Sequence, residues 1–401
     1  MKILQISTSS TGGAGVAANH LFDLLCSAGI ETMLITRDSL SASHGSGFNL
    51  NTLAGKFFTI YQKSMLHDGY DLATPISIGQ GLMREVSDFE PDIVHIHNWY
   101  NLMSLDQIAA LGRKYPIVFT LHDERLLTGG CHITLGCNHF VSGCTGCPAV
   151  VHSKKLISQS YKKSHQVFQE IGRLGIVAPS TWLIERAKSS PILRQVVRFE
   201  CIPNVTALQD TNSLKQSADS LADPLSLVFV AADLSAKVKN LSSAIDAVDL
   251  FSRISKIKSG ITLTVVGQNF PRQVLKHPNF QIVHQRFMDQ PSLMKLFRDS
   301  DVLLISSQSE NSPNIVSEAQ LNGLIVVAGA VGGIPELIQD GKTGFLADAT
   351  PTGIAAALLR YEFCENKEEI RQLAIEVARK RCDRGLILRR HLDVYESVLR
   401  G

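Results

Sequence analysis

Short apolar runs alternate with stretches of helical spacing, and the whole alternation occurs twice; this constrains the fold more than any other feature of the chain. In the first half the runs fall at residues 3–7, 32–36, 91–97, 116–122 and 176–178. Residues 16–27 carry apolar side chains at helical spacing, and Gly29 follows as a stop signal. Residues 179–181, Pro-Ser-Thr, open another helix. A polar stretch at 209–224 has few apolar anchors and reads as a linker. The pattern then restarts, with strands expected at 227–230, 261–266, 280–283, 302–305 and 325–328 and helices at 241–254 and 293–298. Strands alternating with helices predict parallel sheets covered on both faces. The fold class is therefore α/β, as two Rossmann-like βαβ domains facing each other across a cleft. Ligands of such sheets bind at the carboxyl ends of the strands. The expected domains are residues 1–205 and 206–385.

At 401 residues the chain has room for two domains. A formal net charge of +2 argues against nucleic acid as the partner. Residues 1–7 read as a strand and not as a signal peptide. No stretch approaches the ~18 consecutive apolar residues of a membrane span. A cytoplasmic location is expected. One segment, residues 52–66, has the spacing of an amphipathic helix. Its Lys56, Phe57, Phe58, Tyr61 and Lys63 suit either packing on the domain or peripheral contact with the inner membrane.

Several groups carry chemistry. Glu310 sits in the polar loop after the run 302–305, and Glu318 lies about a turn into the helix that follows. Each carboxylate can accept bonds from two neighbouring hydroxyls. The alternative is a helix start that favours acids through its dipole. Gly12 and Gly13 stand between the first strand and the first helix. There the backbone can approach an anion closely, or simply turn tightly. The sequence is neither Gly-x-Gly-x-x-Gly nor a P-loop. His122 ends a strand and projects toward the expected cleft, whereas His95 and His97 share one side of the preceding strand as structural or cleft-lining residues. Lys237 and Lys239, between a strand and a helix, can neutralise a leaving pyrophosphate; the plainer reading is two solvated lysines. Of eight cysteines, Cys131, Cys137, Cys144 and Cys147 fall within one short segment. In a reducing compartment that spacing suggests a structural zinc more than disulfides, with His132 and His139 as spare ligands. Such a metal would staple the insertion beside His122.

Taken together, residues 9–15, 89–98, 179–180 and 202–204, Glu310 with Glu318, and Gly332-Gly333-Ile334-Pro335-Glu336 resemble glycosyltransferase family 4. Its members are retaining, nucleotide-sugar-dependent enzymes of the GT-B fold. The resemblance runs from Met1 to about Asp348. Within the family the chain is most similar to bacterial exopolysaccharide, capsule and lipopolysaccharide transferases, which share the cysteine-bearing segment 122–148. The resemblance implies an acceptor-binding first domain and a donor-binding second domain, with residues 386–401 crossing back onto the first. It places Gly13 by the donor phosphates, His122 beside the transferred sugar and Lys239 on the pyrophosphate. Glu310 would hold sugar hydroxyls and Glu318 the ribose, with Asn314 and Ile315 contacting the donor at the helix start. The donor would be a UDP- or GDP-sugar and the acceptor a saccharide or lipid-linked saccharide, with no catalytic metal. An arginine common in the family about five residues before the lysine is Leu234 here, and Lys237 is the candidate substitute. Two other functions stay open: a GT-B nucleotide-sugar epimerase, and a non-catalytic nucleotide-sugar-binding scaffold.

Overall fold

Each half of the chain builds one six-stranded parallel sheet. The computed structural model describes residues 1–44, 81–151, 154–206, 224–257, 259–271 and 277–401. The expected helix at 52–66, with its membrane-contact residues, and nearly all of the linker at 209–224 lie outside the described residues. Contacts divide the chain into Met1–Val205 with Arg384–Gly401, and Thr206–Asp383. Both units are α/β, each a six-stranded parallel sheet flanked by helices.

In the first unit the strands are β1 (Lys2–Ser7), β2 (Glu31–Thr36), β3 (Ile93–Ile96), β4 (Ile117–Thr120), β5 (Leu174–Ala178) and β6 (Arg198–Cys201). Their spatial order is β2-β1-β3-β4-β5-β6. Every residue of β3, β4 and β5 is buried, which is why these strands read as continuous apolar runs: helices cover both faces. Alternate residues serve the two faces. Leu4, Ile6, Val94, Ile96, Phe119 and Ile176 face one core. Ile3, Ile93, Val118 and Val177 face the other, under Leu21 and Leu25 of the helix Gly12–Ser27 and Val394, Tyr395 and Val398 of the C-terminal helix Arg384–Arg400. A Cβ on Gly175 would stand 2.7 Å from the Val398 side chain, so glycine there lets this last helix lie close on β5.

In the second unit β7 (Leu225–Asp233), β8 (Ile261–Gln268), β9 (Gln281–Gln285), β10 (Val302–Ile305), β11 (Ile325–Gly329) and β12 (Phe345–Ala347) stand in the order β12-β11-β10-β7-β8-β9. Leu227, Phe229, Leu263, Val265 and Val327 pack with Phe251 on one face. Val228, Leu303 and Val326 pack with Phe297 and Val316 on the other. Strand order reverses between β7 and β10, so the loops after those two strands diverge and leave a crevice at their carboxyl ends. The same reversal separates β1 and β3 in the first unit.

Candidate active site

The turn after β7, the loop after β10 and the helix Asn314–Leu321 carry the sequence-predicted residues of the second unit. After β7 the chain makes a single 3₁₀ turn, Lys237–Lys239, and Asn240 takes a left-handed conformation (φ 55°) that aims it into the helix Leu241–Ile254. After β10, the Ser306 hydroxyl donates to the carbonyl of Asn240 at 2.8 Å and the Gln308 N–H donates to that of Val238 at 2.8 Å. The two loops are thereby laced together. Across them the Lys239 ammonium donates to Glu310 Oε1 at 2.5 Å, and the Ser307 hydroxyl donates to the same oxygen at 2.8 Å. Lys239 stays partly solvated while Glu310 is nearly covered.

Glu310 is placed by a glycine distant in sequence. The Gly333 N–H donates to the Glu310 carbonyl at 3.1 Å. Gly332 has φ 55°, and a Cβ on it would lie 1.8 Å from that same carbonyl oxygen. Only glycine fits such an approach. Glu318 lies further along the helix Asn314–Leu321, half-buried. Burial raises its carboxyl above the usual glutamate range. The helix begins after Pro313 without a side-chain cap. The Ile315 side chain packs on the core, which leaves its backbone as its means of meeting a ligand. Leu234 is buried core, while Lys237 is exposed on the turn that carries Lys239.

In the first unit the glycines divide their work. The helix Gly12–Ser27 starts at Gly12, earlier than the expected residue 16, and Gly12 has φ 72°. Gly15 is the one held by close approach, because a Cβ there would meet the Ser9 carbonyl oxygen at 2.5 Å. Gly13 faces open space. His122 follows the end of β4, and its Nε2 lies 3.3 Å from His97 Nδ1. Burial lowers its imidazole to about 4, against the opposing pull of Asp123. At neutral pH His122 is therefore uncharged, able to give or take a hydrogen bond but not to act as a resident cation. His95 and His97 are both buried and stacked, with ring centroids 4.3 Å apart.

Residues 11–139 match the family model described as Glycosyltransferase Family 4, and residues 224–361 match the one described as Glycosyl transferases group 1. The chain belongs to glycosyltransferase family 4. It is a transferase. A relative in Bacillus anthracis, N-acetyl-alpha-D-glucosaminyl L-malate synthase, is 25% identical over 359 residues, which are 86% of this chain and 83% of that one. An uncharacterized 41.2 kDa protein in the cps region of Klebsiella pneumoniae is 25% identical over 139 residues, 35% of this chain and 39% of its own length. Among solved structures, Anabaena Alr3699/HepE in complex with UDP-glucose superposes with a TM-score of 0.61 at 18% identity, over 99% of this chain and all of that one (100%). That likeness establishes the fold.

The cysteine segment of this glycosyltransferase departs from expectation. Cys131, Cys137, Cys144 and Cys147 do line one cavity, of about 10 Å³, and all four thiols are free. Yet among the described residues no three His, Cys, Asp or Glu side chains gather into a group that could hold a metal ion. The sulfurs are engaged otherwise. The Cys131 and Cys147 thiols share a hydrogen bond, and that contact, with the Ala149 and Val150 N–H groups, lowers Cys147 below the usual thiol range against the effect of burial. The Gly129 N–H donates to Cys144 Sγ at 3.3 Å, and burial raises that thiol to about 12. The structural-zinc expectation is thus not supported. What ties the segment down is a group the sequence did not reveal. Glu124, 3% exposed, takes the Arg186 guanidinium at 2.5 Å and the Thr134 N–H at 2.8 Å. Arg186 reaches on to the Thr134 hydroxyl at 3.0 Å, Asn138 Oδ1 at 3.1 Å and the Cys137 carbonyl at 3.3 Å. Glu124 and Arg186 are 62 positions apart, so no local pattern joins them.

Proposed function

We propose that this glycosyltransferase moves a sugar, with retention, from a UDP- or GDP-linked donor to a saccharide or lipid-linked acceptor in bacterial surface polysaccharide synthesis. The observation that carries the reading is the Lys239–Glu310 pair at the β7/β10 crevice, beside a helix that bears the half-buried Glu318. A lysine already positioned there needs little reorganisation to meet charge developing on a leaving diphosphate. Glu310, relieved of part of its lysine contact when the donor enters, accepts from sugar hydroxyls. Glu318 accepts from the ribose, since hydroxyl donors compensate a carboxylate that burial has penalised. Asn314 and Ile315 meet the donor at the helix start. The reading assigns the acceptor to the first domain, Gly12 and Gly13 to the donor phosphates and His122 to the transferred sugar. The acceptor proton passes to an oxygen of the departing diphosphate as the new bond forms on the same face. The Anabaena structures, solved with UDP-glucose and with UDP and glucose, support a nucleotide-sugar donor. The cps-region relative supports a surface polysaccharide product. No helix among the described residues is long and apolar enough to cross a membrane.

A panel of nucleotide-sugars screened by thermal shift identifies the donor, because at a fixed concentration a ligand stabilises the fold more the tighter it binds. Proton NMR of the product formed from that donor and lipid-linked saccharides is expected to show the donor's anomeric configuration. Glu310→Gln and Lys239→Ala are each expected to lower turnover at least ~10-fold, in line with loss of one positioned charge contact. An inverted product would remove the retaining mechanism. Folded variants that both keep wild-type rates would remove the site assignment.

A further inference from the structure

The helix Asn314–Leu321, which carries Glu318, is gripped by a single arginine from another helix. Arg381 ends the helix Lys367–Arg381, and its guanidinium reaches three acceptors at once. It donates to the Ser317 hydroxyl at 3.0 Å, to Gln320 Oε1 at 2.6 Å and to the Leu337 carbonyl at 3.3 Å. The first two acceptors belong to the helix that bears Glu318. The third closes the four-residue helix Ile334–Leu337. That helix opens at Gly333, whose N–H holds the Glu310 carbonyl. One side chain therefore joins the two segments that place the two glutamates.

Gln320 completes the clamp. It is fully buried, and its Nε2 donates to the same Leu337 carbonyl at 3.1 Å and to that of Thr343 at 3.5 Å. Its amide has one workable orientation. A guanidinium only donates and a carbonyl only accepts, so the oxygen faces Arg381 and the nitrogen faces Leu337. At 3.6 residues per turn, Ser317 and Gln320 stand about 60° apart around the helix, while Glu318 stands about 100° from Ser317 and about 160° from Gln320. Arg381 thus holds one side of the helix and Glu318 leaves from the other. Val316 and Ala319 also pin the helix to the core, but apolar contacts are non-directional, whereas a planar fork of donors fixes rotation. Among the described residues no carboxylate pairs with Arg381. Burial lowers its guanidinium below the ordinary arginine range, against the effect of the neighbouring Cys382. Ion pairing therefore does not account for an arginine here; the geometry of its fork does.

We propose that Arg381 is a positioning residue for the nucleotide-sugar: it locks the helix Asn314–Leu321 at the rotation that aims Glu318 at the ribose and ties that helix to the segment that fixes Glu310. The target of Glu318 rests on the reading given above; the clamp does not. The test uses the full-length enzyme with UDP and GDP as probes, titrated calorimetrically below the melting temperature of each variant. For the nucleotide that wild type binds, Arg381→Met is expected to raise the dissociation constant roughly tenfold or more, because small misplacements of a binding group are costly. Arg381→Lys keeps the charge but not the planar fork, and is expected to fall between wild type and Arg381→Met. The discriminating measurement is the double variant. With Glu318→Gln in place, Arg381→Met should add less than about twofold, because both changes act on one contact. A side chain that served stability alone would lower the melting temperature and leave the dissociation constant unchanged, or would add its full effect in the Glu318→Gln background; either result overturns the proposal. If Arg381→Met does not fold, wild-type affinity in folded Arg381→Lys overturns it as well. Weakened binding in Glu318→Gln with none in Arg381→Met removes this role alone. Unchanged binding in Glu318→Gln removes the ribose reading and this role with it.

Discussion

Gly332 and Glu318 show how differently residues of one site are constrained. Gly332 has no side chain to touch a ligand, yet its backbone lies against the Glu310 carbonyl and fixes the carboxylate that Lys239 grips. The sequence displays the Gly-Gly-Ile-Pro-Glu motif but not this approach, because a whole strand, β11, separates the partners. Glu310 and Glu318 were legible because both lie within one strand–loop–helix unit. Glu318 also carries a cost that can be measured. Its folded-state carboxyl titrates above the unfolded value, so its contribution to stability is present at low pH and is lost as pH rises through the folded value. Glu318→Gln is therefore expected to raise the melting temperature of the donor-free enzyme at pH 7 and to leave it unchanged near pH 3. The same variant should lose most of the thermal shift produced by the donor. A variant no more stable than wild type at pH 7 would contradict the burial argument, and a full donor shift would contradict the ribose role.

At the scale of elements, continuous apolar runs identified the inner strands because helices cover both faces of both sheets. The strands that escaped notice are β6 and β12. Neither has a fully buried run, and β12 spans three residues, Phe345–Ala347, too few to show a period. The segment after His122 was legible as an insertion but not in what anchors it. Four cysteines drew attention there, while the anchoring pair joins Glu124 to an arginine on the helix Thr181–Lys188, beyond β5. Because Glu124 is almost fully buried, removing its partner strands a charge, and such losses typically amount to about 3–5 kcal/mol. Arg186→Met should cost that order in urea unfolding and should expose residues 122–150 to limited proteolysis. A loss below ~1 kcal/mol, within the range of surface ion pairs, would show that the segment is held elsewhere.

Across the whole molecule, the chain leaves the first unit at Val205, builds the second, and returns at Arg384 to finish the first. Residues 384–401 are far from β4 and β5 in sequence but form one wall of their core. Ile387, Val394 and Val398 are buried there beside Val118 and Val177. The resemblance to a family carried the return; the residues alone show only an amphipathic helix. At roughly 1.5–3 kcal/mol per buried aliphatic side chain, those three together contribute roughly 5–9 kcal/mol. A whole domain is stable by about 5–15 kcal/mol, so the first unit should not survive without its last helix. A chain ending at Asp383 is expected to lose amide hydrogen-exchange protection in β3, β4 and β5. Protection in β7, β8 and β10 should persist, since Phe251, Leu263 and Leu304 keep their own core. Retained protection in β4 and β5 would mean that the helix only covers a sheet already stable, and loss in both sheets together would mean that the units do not unfold separately.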